Sequence, residues 1–271
     1  MGHVNRAAYY QWLKLPKCER ETENEKIAGL MKQHYEKDPN KGYRRLADDL
    51  AAEDGIKINN KRALRIAQRI GIKADLKYPN DGCTRPSKRP AHVAENILNR
   101  DFHADCPDEK WVTDVTEFKY GTPGEEKKLY LSTILDLYGR LPIASVLSDH
   151  NDTLLALDTF DLALEARPDA HPLFHTDRGY QYTSHDFYNR LKEAGMTQSM
   201  SRPGKCIDNG AMEGFWGILK REMYYKRHFD TREELETAIM EYIDYYTNKR
   251  IQHKLGRISP MAYYGKYQAV A

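Results

Sequence analysis

The chain lacks the features that would place it in a membrane or in an oxidising compartment. No run of about 18 apolar residues occurs among its 271 residues, so no membrane-spanning helix is expected. The opening MGHVNRAAYY has no apolar core of the kind that a secretory signal needs, so export is not expected either. The four cysteines are scattered without a CxxC pair, which argues against a disulfide framework and a structural zinc site. They are Cys18, Cys83, Cys106 and Cys206. Together these absences predict a cytoplasmic protein.

The chain also has little net charge of either sign, because 42 Lys and Arg residues nearly balance 40 Asp and Glu residues. The distribution, however, is uneven. Residues 1–100 hold 21 basic and 13 acidic residues, a net of +8, whereas residues 101–271 hold 21 and 27, a net of −6. This asymmetry favours polyanion binding by the first part and a carboxylate-lined site in the second. The alternative is that the uneven charge belongs to solvated faces without a binding role.

The first part has the spacing of three short helices. Apolar residues recur at helical intervals over residues 25–36, a second helix follows Gly42 and ends at Gly55, and Asn60 can cap a third. This arrangement predicts a helix-turn-helix-like DNA-binding region over residues 1–77, although helical hairpins also serve as scaffolding. The basic residues that we expect to contact DNA are Arg44, Arg45, Lys61, Arg62, Arg65 and Arg69. Residues 78–104, rich in Pro, Lys and Arg at their start, are predicted to be a basic linker.

The pattern changes after the linker. KWVTDVTEFKY alternates as a strand does, and KKLYLSTILDLYGR and LPIASVLSDH follow at hairpin spacing. A helix capped at Asn151 or Asp152, the short strand HPLFHTD, a helix capped at Ser184, the short strand MTQSMS and two long helices come next. Periodicity alone therefore predicts an α/β or α+β domain over residues 105–271.

Three carboxylates stand at positions suited to metal-dependent phosphoryl transfer. Asp114 lies within an apolar strand pattern, Asp177 at a strand end, and Glu213 in the first turns of a long helix, with 35 residues between Asp177 and Glu213. Two-metal chemistry needs carboxylates from different elements to converge on ions about 4 Å apart, and oxygen ligands suit Mg²⁺ or Mn²⁺. Taken singly, the same residues can be a strand-edge charge, a turn residue and a helix-dipole partner. Lys220, two helical turns after Glu213, is expected on the same side and could hold a DNA phosphate.

Neighbouring residues have competing interpretations. Asp136 and Asp208 could be additional metal ligands, but a structural or turn role is favoured for both. His175 precedes Asp177 by two residues, hence on the same strand face, and could contact metal or substrate or be packed and hydrogen-bonded. Phe215 and Trp216 are favoured as core residues over base-stacking ones.

Longer motifs carry a family resemblance. The segments WVTDVTEF, FHTDRGYQYTS, SMSRPGKCIDNGAMEGFWGILKRE and YYTNKRIQHKLGRISPMAYY resemble the integrase-core transposases of bacterial insertion sequences, above all the catalytic, orfB-type protein of the IS-three family. The resemblance runs from about residue 24 to residue 263, and residues 24–77 match the family's helix-turn-helix segment. Asn248, Arg250 and His253 match a family motif for which DNA contact and folding support both remain open.

The resemblance implies a fold and a site. The fold is α/β, a ribonuclease H-like integrase catalytic core with a mixed five-stranded sheet, preceded by a small all-α helix-turn-helix domain. The family's Asp-Asp-35-Glu triad falls on Asp114, Asp177 and Glu213, as catalytic residues and metal ligands, with Lys220 as their basic companion. The implied cofactor is Mg²⁺ or Mn²⁺, two ions per active site.

The resemblance also implies an activity: nicking at the 3′ ends of an insertion sequence, strand transfer to a circular intermediate, and insertion. Double-stranded DNA is the implied substrate, and a homo-oligomer on paired ends, associated with the bacterial nucleoid, is the implied working form. An upstream-frame helix-turn-helix protein, or its frameshift fusion, is a further implied partner, and no heptad zipper is visible in this chain. The alternatives are a non-catalytic DNA-binding relic and a nuclease that cleaves without joining. The complete triad argues against the first, and the basic first part, suited to duplex recognition, argues against the second.

Overall fold

A computed structural model describes residue 10 and residues 18–73, 90–225 and 227–268. The chain divides into two compact units, Met1–Leu76 and Lys77–Ala271, called here the helical unit and the sheet unit. Within the described ranges, no helix is both long enough and apolar enough to span a membrane.

In its described residues 18–73, the helical unit contains three helices around a small apolar core. The helices are α1 (Glu19–Lys37), α2 (Tyr43–Glu53) and α3 (Asn60–Arg69). Each contributes buried residues at helical spacing, such as Ile27 and Met31 from α1, Leu46 from α2 and Ile66 from α3. The cap of α3 is Asn59, whose side chain accepts the Arg62 N–H at 2.8 Å. Asn60, predicted as the cap, is instead the first residue of α3. The hydrogen bond to Arg62 identifies Asn59 as the cap, because an N-cap oxygen accepts an N–H from the second or third residue of its helix.

The sheet unit is built on a mixed five-stranded sheet with the strand order β3-β2-β1-β4-β5. β1 pairs antiparallel with β2 and parallel with β4, which in turn pairs parallel with β5. The strands are β1 (Lys110–Tyr120), β2 (Lys127–Asp136), β3 (Leu141–Ser148), β4 (Leu173–Thr176) and β5 (Thr197–Met200). The helices are α4 (Thr153–Ala166), α5 (His185–Glu193), α6 (Gly210–Leu219), α7 (Arg232–Asn248) and α8 (Pro260–Gln268), with a π-helix (Lys220–Tyr224) directly after α6.

Alternation along the strands divides the apolar core into two layers, one on each face of the sheet. On β1, Val112 and Phe118 pack with α6 and α7, whereas Trp111 and Val115 pack with α4 and α5. Asp114 is in phase with Val112 and Phe118, so it belongs to the face that α6 covers.

The predicted linker differs from the structure in its second half. Residues 78–89 lie outside the described residues, whereas residues 90–104 pack against the sheet unit. Leu98 is buried, and the backbone N–H groups of Ile97 and Leu98 donate to the hydroxyl of Ser199 on β5 at 2.9 and 3.0 Å. Because Leu98 is buried and these two N–H groups have an acceptor on β5, residues 90–104 are held against the edge of the sheet.

Candidate active site

The sheet register places two of the predicted carboxylates side by side. Val112 of β1 is paired with His175 of the parallel strand β4. Asp114 and Asp177 each lie two residues further along, so both carboxylates project at the same level of adjacent strands. Asp177 itself is one residue past the end of β4, where the chain turns, and its Oδ1 accepts the N–H of Gly179 at 2.8 Å.

Helix α6 places the third carboxylate on this same face. The helix is joined to β1 by two hydrogen bonds: Trp216 Nε1 donates to Asp114 Oδ2 at 3.1 Å, and Asn209 Nδ2 donates to the carbonyl of Thr113 at 2.9 Å. Glu213 lies in the first turn of α6, between these two anchors, and is exposed. The three carboxylates line a single cavity of about 640 Å³, called here the triad cavity.

The triad cavity has basic and thiol groups as well as carboxylates in its wall. Arg178 and Lys205 line it, and Arg178 is held by the carbonyl of Ser201, to which its Nε donates at 2.8 Å. The exposed Cys206 also lines it, and hydrogen bonding to the Glu213 carboxylate, followed by that carboxylate's charge, raises the pKa of the Cys206 thiol. An acidic centre with cationic neighbours is suited to a hydrated divalent cation beside a phosphodiester.

The donor set fits hard divalent cations, since three carboxylates from three elements meet at one cavity. In the part of the chain that the structure describes, however, no three His, Cys, Asp or Glu side chains are arranged to hold one ion together. The sharing of two metal ions by these three carboxylates therefore stays a prediction.

Lys220 directly follows the last residue of α6 and has α-helical backbone angles, as the spacing assumed. It is buried, and its ammonium group lies 5.2 Å from the ring centroid of Phe118 on β1. The side chain therefore packs on the sheet and is not among the residues that line the triad cavity. Contact between Lys220 and a DNA phosphate stays a prediction.

The predicted DNA-contacting residues of the helical unit divide into two groups. Arg62 is held within the unit, since its Nη2 donates to Glu23 Oε2 at 2.6 Å and its Nε donates to Asn24 Oδ1 at 2.9 Å. It therefore joins α3 to α1, an assignment that differs from the prediction of a DNA contact. Arg45 is half-buried, and the exposed residues are Arg44, Lys61, Arg65 and Arg69. Sequence reasoning missed Arg20, which lines a cavity of about 390 Å³ together with Arg62, Arg65 and Arg69.

Asp136 and Asp208 have structural partners, in line with the structural role that the sequence favoured over metal binding. Asp136 is fully buried and accepts the backbone N–H groups of Asp108 and Tyr138, both at 2.9 Å. Asp208 accepts Arg100 Nε at 2.6 Å and Arg202 Nε at 2.8 Å, and these bonds, that of Arg202 first, hold the pKa of its carboxyl well below its usual range.

His175 is fully buried between two hydroxyls, with Nδ1 at 2.9 Å from Ser199 Oγ and Nε2 at 3.1 Å from Ser201 Oγ. Burial lowers the pKa of His175 to about 4, so the ring is neutral at pH 7. It is a hydrogen-bonded core histidine, the second of the two roles that the sequence left open.

The C-terminal motif has a structural explanation at Arg250. Its guanidinium donates to both oxygens of Glu222 at 2.9 and 3.0 Å, and the Tyr242 hydroxyl donates to the same carboxylate at 2.7 Å. The pair is buried, with side-chain exposures of 8% and 3%. Arg250 thus supports folding, and Asn248 donates to Asp244 at 2.7 Å on the surface of α7.

Trp216 and Asn209 are site residues that sequence reasoning did not identify. Trp216 was expected in the core, and it is buried, but its indole N–H also holds Asp114. A signal for both exists in the sequence: Asn209 precedes Glu213 by four residues and Trp216 follows it by three, so all three are neighbours on a helix surface.

Comparisons with known proteins agree with this architecture. Integrase core domain families match residues 104–206 and 213–266, and an HTH-like domain family matches residues 22–79. An uncharacterised transposase-like protein of Haemophilus influenzae is 43% identical over 208 residues, covering 77% of this chain and 94% of that protein. The putative transposase InsK for insertion sequence element IS150 of Escherichia coli is 40% identical over 223 residues, covering 82% of this chain and 76% of that protein.

The fold has a counterpart among solved structures. A chain of the simian T-cell lymphotropic virus intasome matches with a TM-score of 0.50 and 16% identity, over 80% of this chain and 74% of that one. This likeness, together with the family matches, confirms the predicted ribonuclease H-like integrase core. The chain therefore belongs to the integrase-core transposases of bacterial insertion sequences, a family of polynucleotidyl transferases, as the resemblance in its sequence predicted.

Proposed function

We propose that this transposase nicks the 3′ ends of its insertion sequence and joins them to target DNA, with Asp114, Asp177 and Glu213 as its catalytic residues and metal ligands. The observation that supports this proposal is the meeting of three carboxylates, from two strands and a helix, at one cavity. Integrase cores of this family generally use divalent metals.

Asp114, Asp177 and Glu213 would hold two Mg²⁺ or Mn²⁺ ions, which would supply activation of the attacking water or 3′-hydroxyl and stabilisation of the leaving 3′-oxygen. The chain's own contribution is orientation. The Trp216 indole holds one oxygen of Asp114, and the turn after β4 holds one oxygen of Asp177, so both carboxylates keep fixed directions. Arg178 and Lys205 in the cavity wall attract the phosphodiester towards an otherwise acidic centre.

DNA binding by the helical unit is part of the proposal. Arg44, Lys61, Arg65 and Arg69 are exposed and can reach phosphates, whereas Lys220 packs on Phe118 and Arg62 is paired with Glu23. We further propose that the active form is a homo-oligomer on paired element ends, and that an upstream-frame helix-turn-helix protein or its frameshift fusion takes part.

The test is a strand-transfer assay with the purified full chain, labelled duplexes that carry the element ends, and Mg²⁺. We expect 3′-nicked and joined products, both abolished by EDTA and restored by added Mg²⁺ or Mn²⁺. Nicking without any joined product, under conditions that assemble the paired ends, would identify a nuclease instead. Activity that survives chelation would reject the metal-dependent mechanism.

A further inference from the structure

Asn209 connects the two elements that present Asp114 and Glu213. It stands at the N-cap position of α6, four residues before Glu213. Its Nδ2 donates to the carbonyl of Thr113, the residue directly before Asp114 on β1, at 2.9 Å. Asn209 is buried, with 5% of its surface exposed, and it lines the triad cavity.

The side-chain oxygen of Asn209 does not perform its ordinary task. An Asn at an N-cap normally accepts an N–H from the second or third residue of its helix, but Asn209 makes no such side-chain bond. In the described structure its Oδ1 is buried and has no hydrogen-bond partner. Turning the amide over would set Oδ1 against the Thr113 carbonyl, two acceptors face to face, so the contact with Thr113 determines the orientation.

A buried acceptor without a partner costs free energy, and such groups in native proteins call for an explanation. Because Asn209 lines the triad cavity, a species held in that cavity can supply the missing donor. The exposed residues Cys206 and Glu213 line the same cavity. A divalent cation brings donors of the right kind, since Mg²⁺ keeps several of its waters when carboxylates bind it.

We propose that Asn209 is a fourth residue of the metal site, accepting at Oδ1 a hydrogen bond from a water molecule on the bound divalent cation. This inference rests on the proposed function, because it assumes that the carboxylates of the triad hold the cation. Asn209 then acts in two directions: Nδ2 fixes the strand that presents Asp114, and Oδ1 orients the hydrated ion between β1 and α6. Residues that orient a metal site from outside its ligand set typically contribute 10- to 100-fold, roughly, in metal affinity.

The experiment measures Mn²⁺ binding to the full chain without DNA, by calorimetry or by loss of the free-ion electron paramagnetic resonance signal. Asn209→Leu has nearly the same shape and removes both the acceptor and the donor to the Thr113 carbonyl, so we expect Mn²⁺ to bind about 10-fold or more weakly. Asn209→Asp loses the same donor but keeps an acceptor and adds a charge, so it separates the two roles of Asn209. We expect it to retain or increase affinity, and to gain at least as much in Tm from saturating Mn²⁺ as the wild type does.

Two further variants make the result specific. Asn96→Ala removes a similar amide that donates at 2.9 Å to Asp208, the residue directly before Asn209, and it should leave Mn²⁺ affinity unchanged. Asp177→Asn should lose affinity if the proposed triad holds the metal. Wild-type affinity in Asn209→Leu, alongside a loss in Asp177→Asn, overturns this inference alone. Equal losses in Asn209→Leu and Asn96→Ala also overturn it, since the effect would then be structural. Wild-type affinity in Asp177→Asn defeats the proposed function and this inference with it.

Discussion

Asp114 and Asp177 receive hydrogen bonds of different kinds, an indole N–H in one case and a backbone N–H in the other. A backbone donor close in the chain survives most substitutions, whereas an indole donor from another element can be deleted by mutation. The two carboxylates therefore call for different experiments, one on the charge itself and one on the group that orients it.

Asp177→Asn should reduce strand cleavage by more than about 100-fold while leaving DNA affinity unchanged, because a ligand should matter at least as much as the residues that orient it. The amide oxygen of Asn can still accept the Gly179 N–H, so the turn should keep its shape. Cleavage rates and fluorescence anisotropy on the same duplex test both expectations. Asp169→Asn, at an exposed position, is the matched control and should behave as the wild type. A cleavage rate near that of the wild type in Asp177→Asn would mean that the residue is wrongly chosen.

Trp216→Phe should lower the cleavage rate by about 10- to 100-fold, since Asp114 loses the donor that orients it. The ring remains apolar and buried, so the loss in stability should stay near the value of one hydrogen bond to a charged group, roughly 1.5–3 kcal/mol. Rates measured well below the Tm of the variant separate orientation from unfolding. An unchanged cleavage rate would show that Asp114 functions without the hydrogen bond from Trp216 of α6.

At the scale of elements, a buried ion pair lies in the π-helix that directly follows α6. The π-helix Lys220–Tyr224 contains Glu222, which receives both Arg250 and Tyr242. π-Helical turns are rare and frequently lie at functional sites. Here the turn is joined to the C-terminal motif by the pair of Glu222 with Arg250.

Arg250→Met should destabilise the fold by about 3–5 kcal/mol, because it leaves the Glu222 carboxylate buried without its partner. Adding Glu222→Leu should recover a large part of that loss, since replacing both charges by apolar groups is often neutral. Chemical denaturation of the wild type, both single variants and the double variant tests this as a cycle. Equal, additive losses would mean that the two residues act independently.

Asp136 at the end of β2 should make stability depend on pH. Burial raises the pKa of this carboxyl to about 7, against the opposing effect of its two backbone hydrogen bonds. The unfolded chain releases the proton near pH 4, so between about pH 4 and 7 the folded state binds more protons and stability falls as pH rises. The slope from this group is at most about 1.4 kcal/mol per pH unit. Denaturation midpoints across this range should show the decline in the wild type and lose it in Asp136→Asn, and parallel curves would contradict the assignment.

The sequence predicted what local pattern controls and missed what distant partners decide. Strand alternation and helix starts placed Asp114, Asp177 and Glu213 correctly on their elements, and the family motifs predicted the mixed five-stranded sheet. The packing of Lys220 on Phe118 was not predicted, because helical spacing does not tell which strand residue a side chain will contact. The pairing of Arg62 with Glu23 was not predicted for a similar reason, since Glu23 lies on another helix.

At the scale of the whole molecule, the uneven charge divides the work between the two parts of the chain. Residues 1–100 carry a net charge of +8 and residues 101–271 carry −6. An acidic site repels phosphate until cations neutralise it, so the attraction for DNA has to come from the basic part. That attraction acts through the release of counterions, which makes it measurable as a salt dependence.

Arg65→Ala combined with Arg69→Ala should weaken binding to any duplex and flatten the plot of log affinity against log salt by up to about 1.8, or about 0.9 for each phosphate that the protein no longer neutralises. Both residues are exposed on α3, and alanine preserves the helix. The matched control is Arg62→Ala on the same helix. Because Arg62 pairs with Glu23 and Asn24, this variant should lose roughly 1 kcal/mol of stability or less and keep the salt slope of the wild type. If the double variant kept the wild-type slope, the helical unit would be a scaffold, and the attraction for DNA would have to come from the cationic wall of the triad cavity.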